Sequence, residues 1–378
     1  MYIPFGLKQF PARISYSANM TEIHITEDAV RQILSKFQDP ETGRNIVQME
    51  QVHALKVDGP RLSVRLGLTT WSAPVWGETA SQLSQLLSSE FPQAEIEVDV
   101  VPHERRPEPI GEVGLRAKSV IAVGAGKGGV GKSSVAAYLA YGLLRAGARV
   151  GIMDADVYGP SIPHLLGAQG RPQIVDGKIQ PVDAAGLTVM SMGLLVPRED
   201  AVVWRGPMLH SVLTQLLRDT AWGDLDYLIV DMPPGTGDMA ISLASLLPES
   251  KAVVVCTPQE LALLDAVKAI DMYRKVRLEV LGMIENMSFF VCPNCTARHE
   301  LFGSGGAKMK AVELGVPLLG ELPLSQRLRE LGDEGRIAES LDDPQAGPYL
   351  KPMGVELVRA LTAKNRQKPA APTLHILH

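Results

Sequence analysis

Residues Gly126-Lys127-Gly128-Gly129-Val130-Gly131-Lys132-Ser133 constrain the fold more than any other stretch of this chain. They fit G-x-x-x-x-G-K-S, a loop that binds phosphates. The apolar run Ser119–Val123 precedes them and a helical pattern beginning near Lys132 follows, which is the strand–turn–helix setting the motif requires. Glycines let the backbone wrap phosphates with its N–H groups inward, and the helix N-terminus adds a favourable partial charge. Gly126 through Ser133, with Ser134, are therefore expected to bind ATP. Lys132 would reach the β- and γ-phosphates and the Ser133 hydroxyl would meet Mg²⁺.

Around this loop the pattern alternates. Apolar strands are expected at Ser119–Ala125, Val150–Met153, Leu187–Ser191, Tyr227–Val230, Ala252–Cys256, Val280–Ile284 and Leu318–Leu322. Helices are expected at Lys132–Arg145, around Val212–Leu217 and Ala262–Tyr273, and at Val355–Leu361. Continuous apolar strands alternating with helices predict an α/β fold whose mostly parallel sheet is covered on both faces. Ligands then bind beyond the carboxyl ends of the strands, where Asp154, Asp156, Asp231 and Asn286 fall. A small α+β domain precedes it. Thr26 can cap a helix that carries Ala29, Val30, Ile33, Leu34 and Phe37 on one face. Strands follow near Ile46–Val57 and Arg61–Leu68, then a helix over Glu78–Phe91 and a strand through Ile96, Val98 and Val100. The predicted division is residues 20–102 for the small domain, 103–117 for a charged, Pro-containing linker, 118–362 for the ATPase domain and 363–378 for a disordered tail. Met20-Thr21-Glu22 reads as an alternative start, making residues 1–19 an extension.

Composition narrows the function classes. The chain has 378 residues, 46% of them hydrophobic, and a net charge of −5, so no global basic field exists to hold nucleic acid. No apolar run approaches the length that spans a bilayer, and Met1–Met20 lack a signal-peptide layout. With three cysteines, two of them as Cys-x-x-Cys, a disulfide framework is not expected and a reducing cytoplasm is. The expected partners thus include neither nucleic acid nor membrane.

Asp231 ends an apolar strand and is the expected Mg²⁺ carboxylate; the turn Met232–Asp238 follows it toward the γ-phosphate. Of the pair after the preceding strand, Asp156 is expected to orient the attacking water and Asp154 to support Mg²⁺ through water. Cys292-Pro293-Asn294-Cys295 offers two thiolates to a soft metal centre. Zinc and iron–sulfur centres take about four protein ligands, and two chains related by a two-fold axis would supply them. A redox dithiol, or zinc completed by His299, are the rival readings, and spacing leaves iron and zinc undecided. Cys256 lies inside an apolar strand and reads as structural.

Together the two-lysine loop, Asp154–Ser161, Trp204-Arg205-Gly206-Pro207-Met208, Asp231–Asp238 and Glu285-Asn286-Met287-Ser288 with its following Cys-x-x-Cys resemble the Mrp/ApbC P-loop ATPases. These are iron–sulfur cluster carriers, in the deviant P-loop class that contains MinD, ParA and the nitrogenase iron protein. The resemblance covers about Lys118–Leu361. It implies a homodimer holding a labile [4Fe-4S] cluster between Cys292 and Cys295 of both chains. The cluster would be received with cluster assembly scaffold proteins and handed to apo iron–sulfur proteins, with slow ATP hydrolysis resetting the dimer. It also implies that Lys127 acts across the dimer interface beside Lys132 in catalysis, and that the Asn286 amide reads adenine. Residues Thr26–Val101 resemble the small metal–sulfur cluster assembly domain, whose Cys-Pro is replaced here in Ser72-Ala73-Pro74. This implies docking or regulation rather than thiol chemistry in that domain. Arg205 would contact phosphate or the partner chain, or serve a structural loop. The competing reading is a zinc-stapled ATPase switch of the MinD/ParA partitioning type.

Overall fold

The computed structural model describes residues 25–157, 159–195, 206–235 and 237–367. The extension 1–19, Tyr158, Trp204, Arg205, Thr236 and the tail beyond Gln367 lie outside these residues.

The small domain has the expected α-β-β-α-β order. Thr26 caps the helix Glu27–Leu34, its hydroxyl accepting from the Ala29 amide at 3.3 Å. The strand Arg61–Leu68 is central, antiparallel to Val52–Asp58 and parallel to Glu95–Pro102. Its alternating Leu62, Val64, Leu66 and Leu68 are fully buried under the helices Glu27–Leu34 and Trp76–Glu90. The strand expected from Ile46 begins only at Val52. Asn45 Oδ1 accepts from the amides of Val47 (2.8 Å) and Gln48 (3.0 Å), a side-chain turn that keeps residues 46–51 off the ladder.

In the ATPase domain the strands Leu187–Ser191, Val150–Asp154, Leu225–Asp231, Leu115–Ala125, Lys251–Cys256, Glu279–Val291 and Leu318–Leu324 pair in that spatial order, all parallel. Short antiparallel strands, Val182–Ala184 and Arg298–His299, close the two sides. Two apolar layers cover the sheet, one built on the loop helix Lys132–Arg145 and the last helix Gly347–Gln367, the other on Gly206–Arg218, Gly237–Leu246 and Glu260–Lys275.

Two boundaries differ from expectation for one reason: the small domain is docked. The strand expected from Ser119 begins at Leu115, because Pro109–Ile110 turns back to pair with Leu115–Arg116. Arg105, read as part of a charged linker, is instead half-buried in ion pairs with Asp39 (3.0 Å) and Glu41 (2.9 Å). The last helix runs through Ala363 to Gln367 rather than yielding to a tail. Its final turns meet the small domain, with Asn365 Nδ2 donating to the Glu41 carbonyl at 2.6 Å and Arg359 Nε to Glu78 at 3.0 Å.

Trp71 is the centre of this seam. Its indole N–H donates to Ser119 Oγ at 2.9 Å, its ring stacks on Tyr227 at 5.8 Å, and its carbonyl accepts from the Tyr227 hydroxyl at 2.5 Å. Thr70 donates to the buried Asp226 at 2.6 Å, and Lys118 bridges Asp226 (3.0 Å) and Glu41 (3.4 Å). Ser119 and Tyr227 are paired near the amino ends of their strands. The small domain therefore sits at the end of the sheet opposite the glycine loop. Ser72-Ala73-Pro74 lies within this seam, in the short 3₁₀ helix Thr70–Val75. Trp71→Ala is expected to cost about 3–5 kcal/mol, read as a lower urea midpoint; an unchanged midpoint would mean that the seam adds nothing to stability.

Candidate functional site

The site forms at the carboxyl ends of three adjacent strands. Leu115–Ala125 delivers the glycine loop, and the helix begins at Lys132, as expected. Gly131, at φ 80°, is the left-handed turn into that helix, and a Cβ there would lie 2.2 Å from the Asn286 amide nitrogen. Only glycine fits both the backbone and the contact.

Lys132, Ser133 and Asp231 converge. Lys132 Nζ lies 2.5 Å from one Asp231 oxygen and 3.2 Å from Ser133 Oγ, while the Ser133 hydroxyl donates to the other Asp231 oxygen at 2.6 Å. Asp231 is fully buried, and burial pushes its carboxyl up while Lys132 and Ser133 pull it back. Asp154 is registered directly across from Asp231 on the neighbouring strand. Burial, then the Asp231 charge, raise its carboxyl from 3.8 to about 7. Its oxygens are occupied: Oδ1 accepts from the Asp156 amide at 3.1 Å, and Oδ2 accepts from the amides of Ser161 (2.9 Å) and Ile162 (3.0 Å). Asp154 thus organises the loop 155–161 and caps the short helix Ile162–Leu166. Asp156 is half-buried in that loop. Its Oδ1 accepts from the Gly159 amide at 3.2 Å, and its charge is felt at Asp231.

The donor set suits Mg²⁺: a hydroxyl and a carboxylate already in contact, with a second carboxylate on the next strand, are all hard oxygens. Lys127 is half-buried and makes no hydrogen bond or ion pair among the described residues. Ser134 is half-buried at the start of the helix.

Asn286 was expected at the end of its strand, yet the strand continues to Val291. Asn286 sits at an irregularity inside it, 8% exposed, and its amide nitrogen donates to the Val130 carbonyl of the glycine loop at 2.9 Å. The sequence argument missed Glu285. This fully buried carboxylate accepts from the Ser288 hydroxyl and from the Ala307 amide (3.3 Å) at the start of the helix Gly306–Leu314. The available signal was a charged residue at the end of an apolar run, which demands partners.

The same strand carries the thiols. Phe290 and Val291 pair with His299 and Arg298, and Cys292–Ala297 form the connecting turn at the sheet edge, Cys292 N donating to the Ala297 carbonyl at 3.0 Å. Cys295 is exposed and Cys292 half-buried. Amides of Cys295 and Asn294 hydrogen-bond the Cys292 sulfur and lower its thiol. Among the described residues no three of His, Cys, Asp and Glu gather as a metal site, so His299 does not complete a set with the pair. Cys256 is buried, its Sγ 3.7 Å from the Ile284 carbonyl, and burial pushes its thiol up to about 12. No described helix is long and apolar enough to cross a membrane.

Comparisons with known proteins agree with this layout. A family model described as NUBPL iron-transfer P-loop NTPase matches residues 116–353, and one described as iron-sulfur cluster assembly protein matches residues 27–100. An iron-sulfur cluster carrier protein of Deinococcus radiodurans is 44% identical over 82% of this chain and 88% of its own length. One from Escherichia coli is 42% identical over 80% of this chain and 83% of its own. Among solved structures, a nucleotide-binding protein of Archaeoglobus fulgidus in complex with ADP is 40% identical, with a TM-score of 0.53. That match covers 59% of this chain and 89% of the archaeal one.

Proposed function

The chain belongs to the iron-transfer P-loop NTPase family, and we propose that it hydrolyses Mg·ATP to carry an iron–sulfur cluster, as cargo, to apo-proteins. One observation carries the reading: an accessible thiol pair stands in the turn directly after the strand that grips the phosphate loop.

The buried Lys132–Asp231 pair sets the chemistry. A buried ion pair tolerates separation only if both charges find new partners. Mg·ATP offers both, phosphate oxygens to Lys132 and the metal to Asp231. Ser133 and Asp231 would hold Mg²⁺, with Asp154 supporting it through water, and the ion would supply charge neutralisation at the phosphates. Asp156 orients the attacking water by accepting its hydrogen bond. Lys127, without a partner among the described residues, is the charge delivered to the nucleotide of a second copy. Gly126, Gly128, Gly129, Val130, Gly131 and Ser134 cradle the phosphates. The Asn286 amide nitrogen is already engaged, which leaves its oxygen to accept from the adenine amine.

The cargo is a [4Fe-4S] cluster shared by Cys292 and Cys295 of two copies of the chain. Two thiolates fall short of the usual four or so ligands. Exposed apolar side chains on two adjacent helices, Leu261 and Leu264 on the one before the thiol turn and Met309 and Val312 on the one after it, suit an interface between copies. Scaffold proteins of cluster assembly would load it, in the cytoplasm.

Anoxic reconstitution tests this. About four irons per dimer, a broad band near ~400 nm and activation of an apo-acceptor are expected. Stoichiometric zinc without iron would overturn the carrier reading in favour of a stapled ATPase switch.

A further inference from the structure

We propose that the bulge Glu285–Ser288 couples the phosphate loop to the thiol turn, so that nucleotide at one end changes the turn's structure at the other. The proposal rests on the ATP-dependent carrier reading and adds the route of coupling. Strand Glu279–Val291 is continuous from beside the loop to the residue before Cys292. At its middle, Asn286 is tied to the Val130 carbonyl and packed on Gly131. Any turning of the loop carbonyls as its amides close on phosphates therefore acts directly on Asn286.

The pairing with Leu318–Leu324 shifts by one residue at Met283/Ile284 and more widely at this point. The strand pairs as Glu285 with Glu321, and resumes as Phe289 with Pro323. Asn286, Met287 and Ser288 thus oppose Leu322 alone. Met287 adopts φ 55°, a left-handed conformation that strains a non-glycine residue. Glu285 holds this distortion by bonding Ser288 within the bulge and Ala307 outside it. A strained segment braced by one buried carboxylate is suited to two discrete arrangements, which coupling between sites requires.

Beyond the bulge the chain is stiff. The Phe289 ring lies edge-on to Tyr349 at 4.8 Å, with the Arg298 guanidinium 3.8 Å from its centre. Phe290 and Val291 are laddered to His299 and Arg298, and Thr296 N donates to the Cys292 carbonyl at 2.9 Å. A shift at Ser288 is passed to the turn as a unit rather than absorbed. Glu285 and Asn286 are positioning residues in this role.

Amide hydrogen exchange on the full-length protein, with and without Mg²⁺ and a non-hydrolysable ATP analogue, tests the route. Peptides over Gly126–Ser133 report binding, and those over Phe290–His299 report the thiol turn. Expected is analogue-induced protection of the loop together with changed exchange of the turn. Ser288→Ala, which removes the brace inside the bulge and no proposed nucleotide contact, should keep the first and lose the second. Glu285→Ala should do likewise, while Glu285→Gln, which can still accept from Ala307 and donate to Ser288, should restore the response. If Glu285→Ala does not fold, the Ser288→Ala and Glu285→Gln results decide. A protected loop with an unresponsive turn in the wild type, or a turn response that survives Ser288→Ala, overturns the coupling and leaves the ATPase reading intact. No loop protection in the wild type overturns both.

Discussion

Lys132→Ala is expected to abolish ATP turnover, a loss of about 10²–10³-fold or more, and to destabilise the chain by about 3–5 kcal/mol. The catalytic loss follows from removing the charge that faces the β- and γ-phosphates. The stability loss follows from the 2.5 Å contact with Asp231, which would be left fully buried without its counter-charge. The two effects separate by pH. Burial already raises the Asp231 carboxyl, and losing Lys132 raises it further. A carboxyl raised on folding contributes stability below its ordinary range and loses it as pH rises through the folded value. The deficit of the variant should therefore be small near about pH 5 and larger near about pH 8, measured by urea unfolding at each. Normal turnover would refute the phosphate-loop assignment; a deficit independent of pH would mean that Asp231 is not what the lysine neutralises.

The parts of this site legible in the sequence are those that local chemistry decides. The helix starts at Lys132 because a glycine turn and a 3.6-residue apolar pattern meet there. Asp154 and Asp231 end their strands because buried parallel strands read as apolar runs that stop at the first charge. What stayed hidden depends on contacts between distant residues. Arg105 looks like linker charge until Asp39 and Glu41, more than sixty positions earlier, are brought beside it. Nothing near Trp71 reveals that its partner is Tyr227, and nothing near Asn365 reveals that Glu41 will stop the last helix from fraying. Asn286 lies inside its strand rather than at the expected end, since a bulge looks in sequence like the end of a run.

The seam also bears on why the small domain can lack a thiol. Ala73 stands beside Trp71 at the amino end of the sheet, whereas Cys292 and Cys295 follow the carboxyl end of the strand Glu279–Val291. A cysteine at position 73 would lie across the sheet from the proposed cargo. Within one chain the small domain thus sits away from the proposed carrier pair at 292 and 295.

Cys292→Ala is expected to remove all reconstituted iron while leaving Mg·ATP binding at the wild-type level. Each chain supplies two thiolates, so the substitution takes two of about four ligands from a shared centre. The turn that holds Cys292 is built from backbone bonds, Cys292 N to the Ala297 carbonyl and Thr296 N to the Cys292 carbonyl, which alanine keeps. Cys256→Ala is the control. That buried thiol lies far from the ligand range, pushed up to about 12, and its loss should cost stability but no iron. Iron per chain and nucleotide affinity on the same samples distinguish the cases. Iron retained in Cys292→Ala would place the cargo elsewhere. If nucleotide binding fell together with iron, the thiol pair would be a staple of the fold rather than a carrier site.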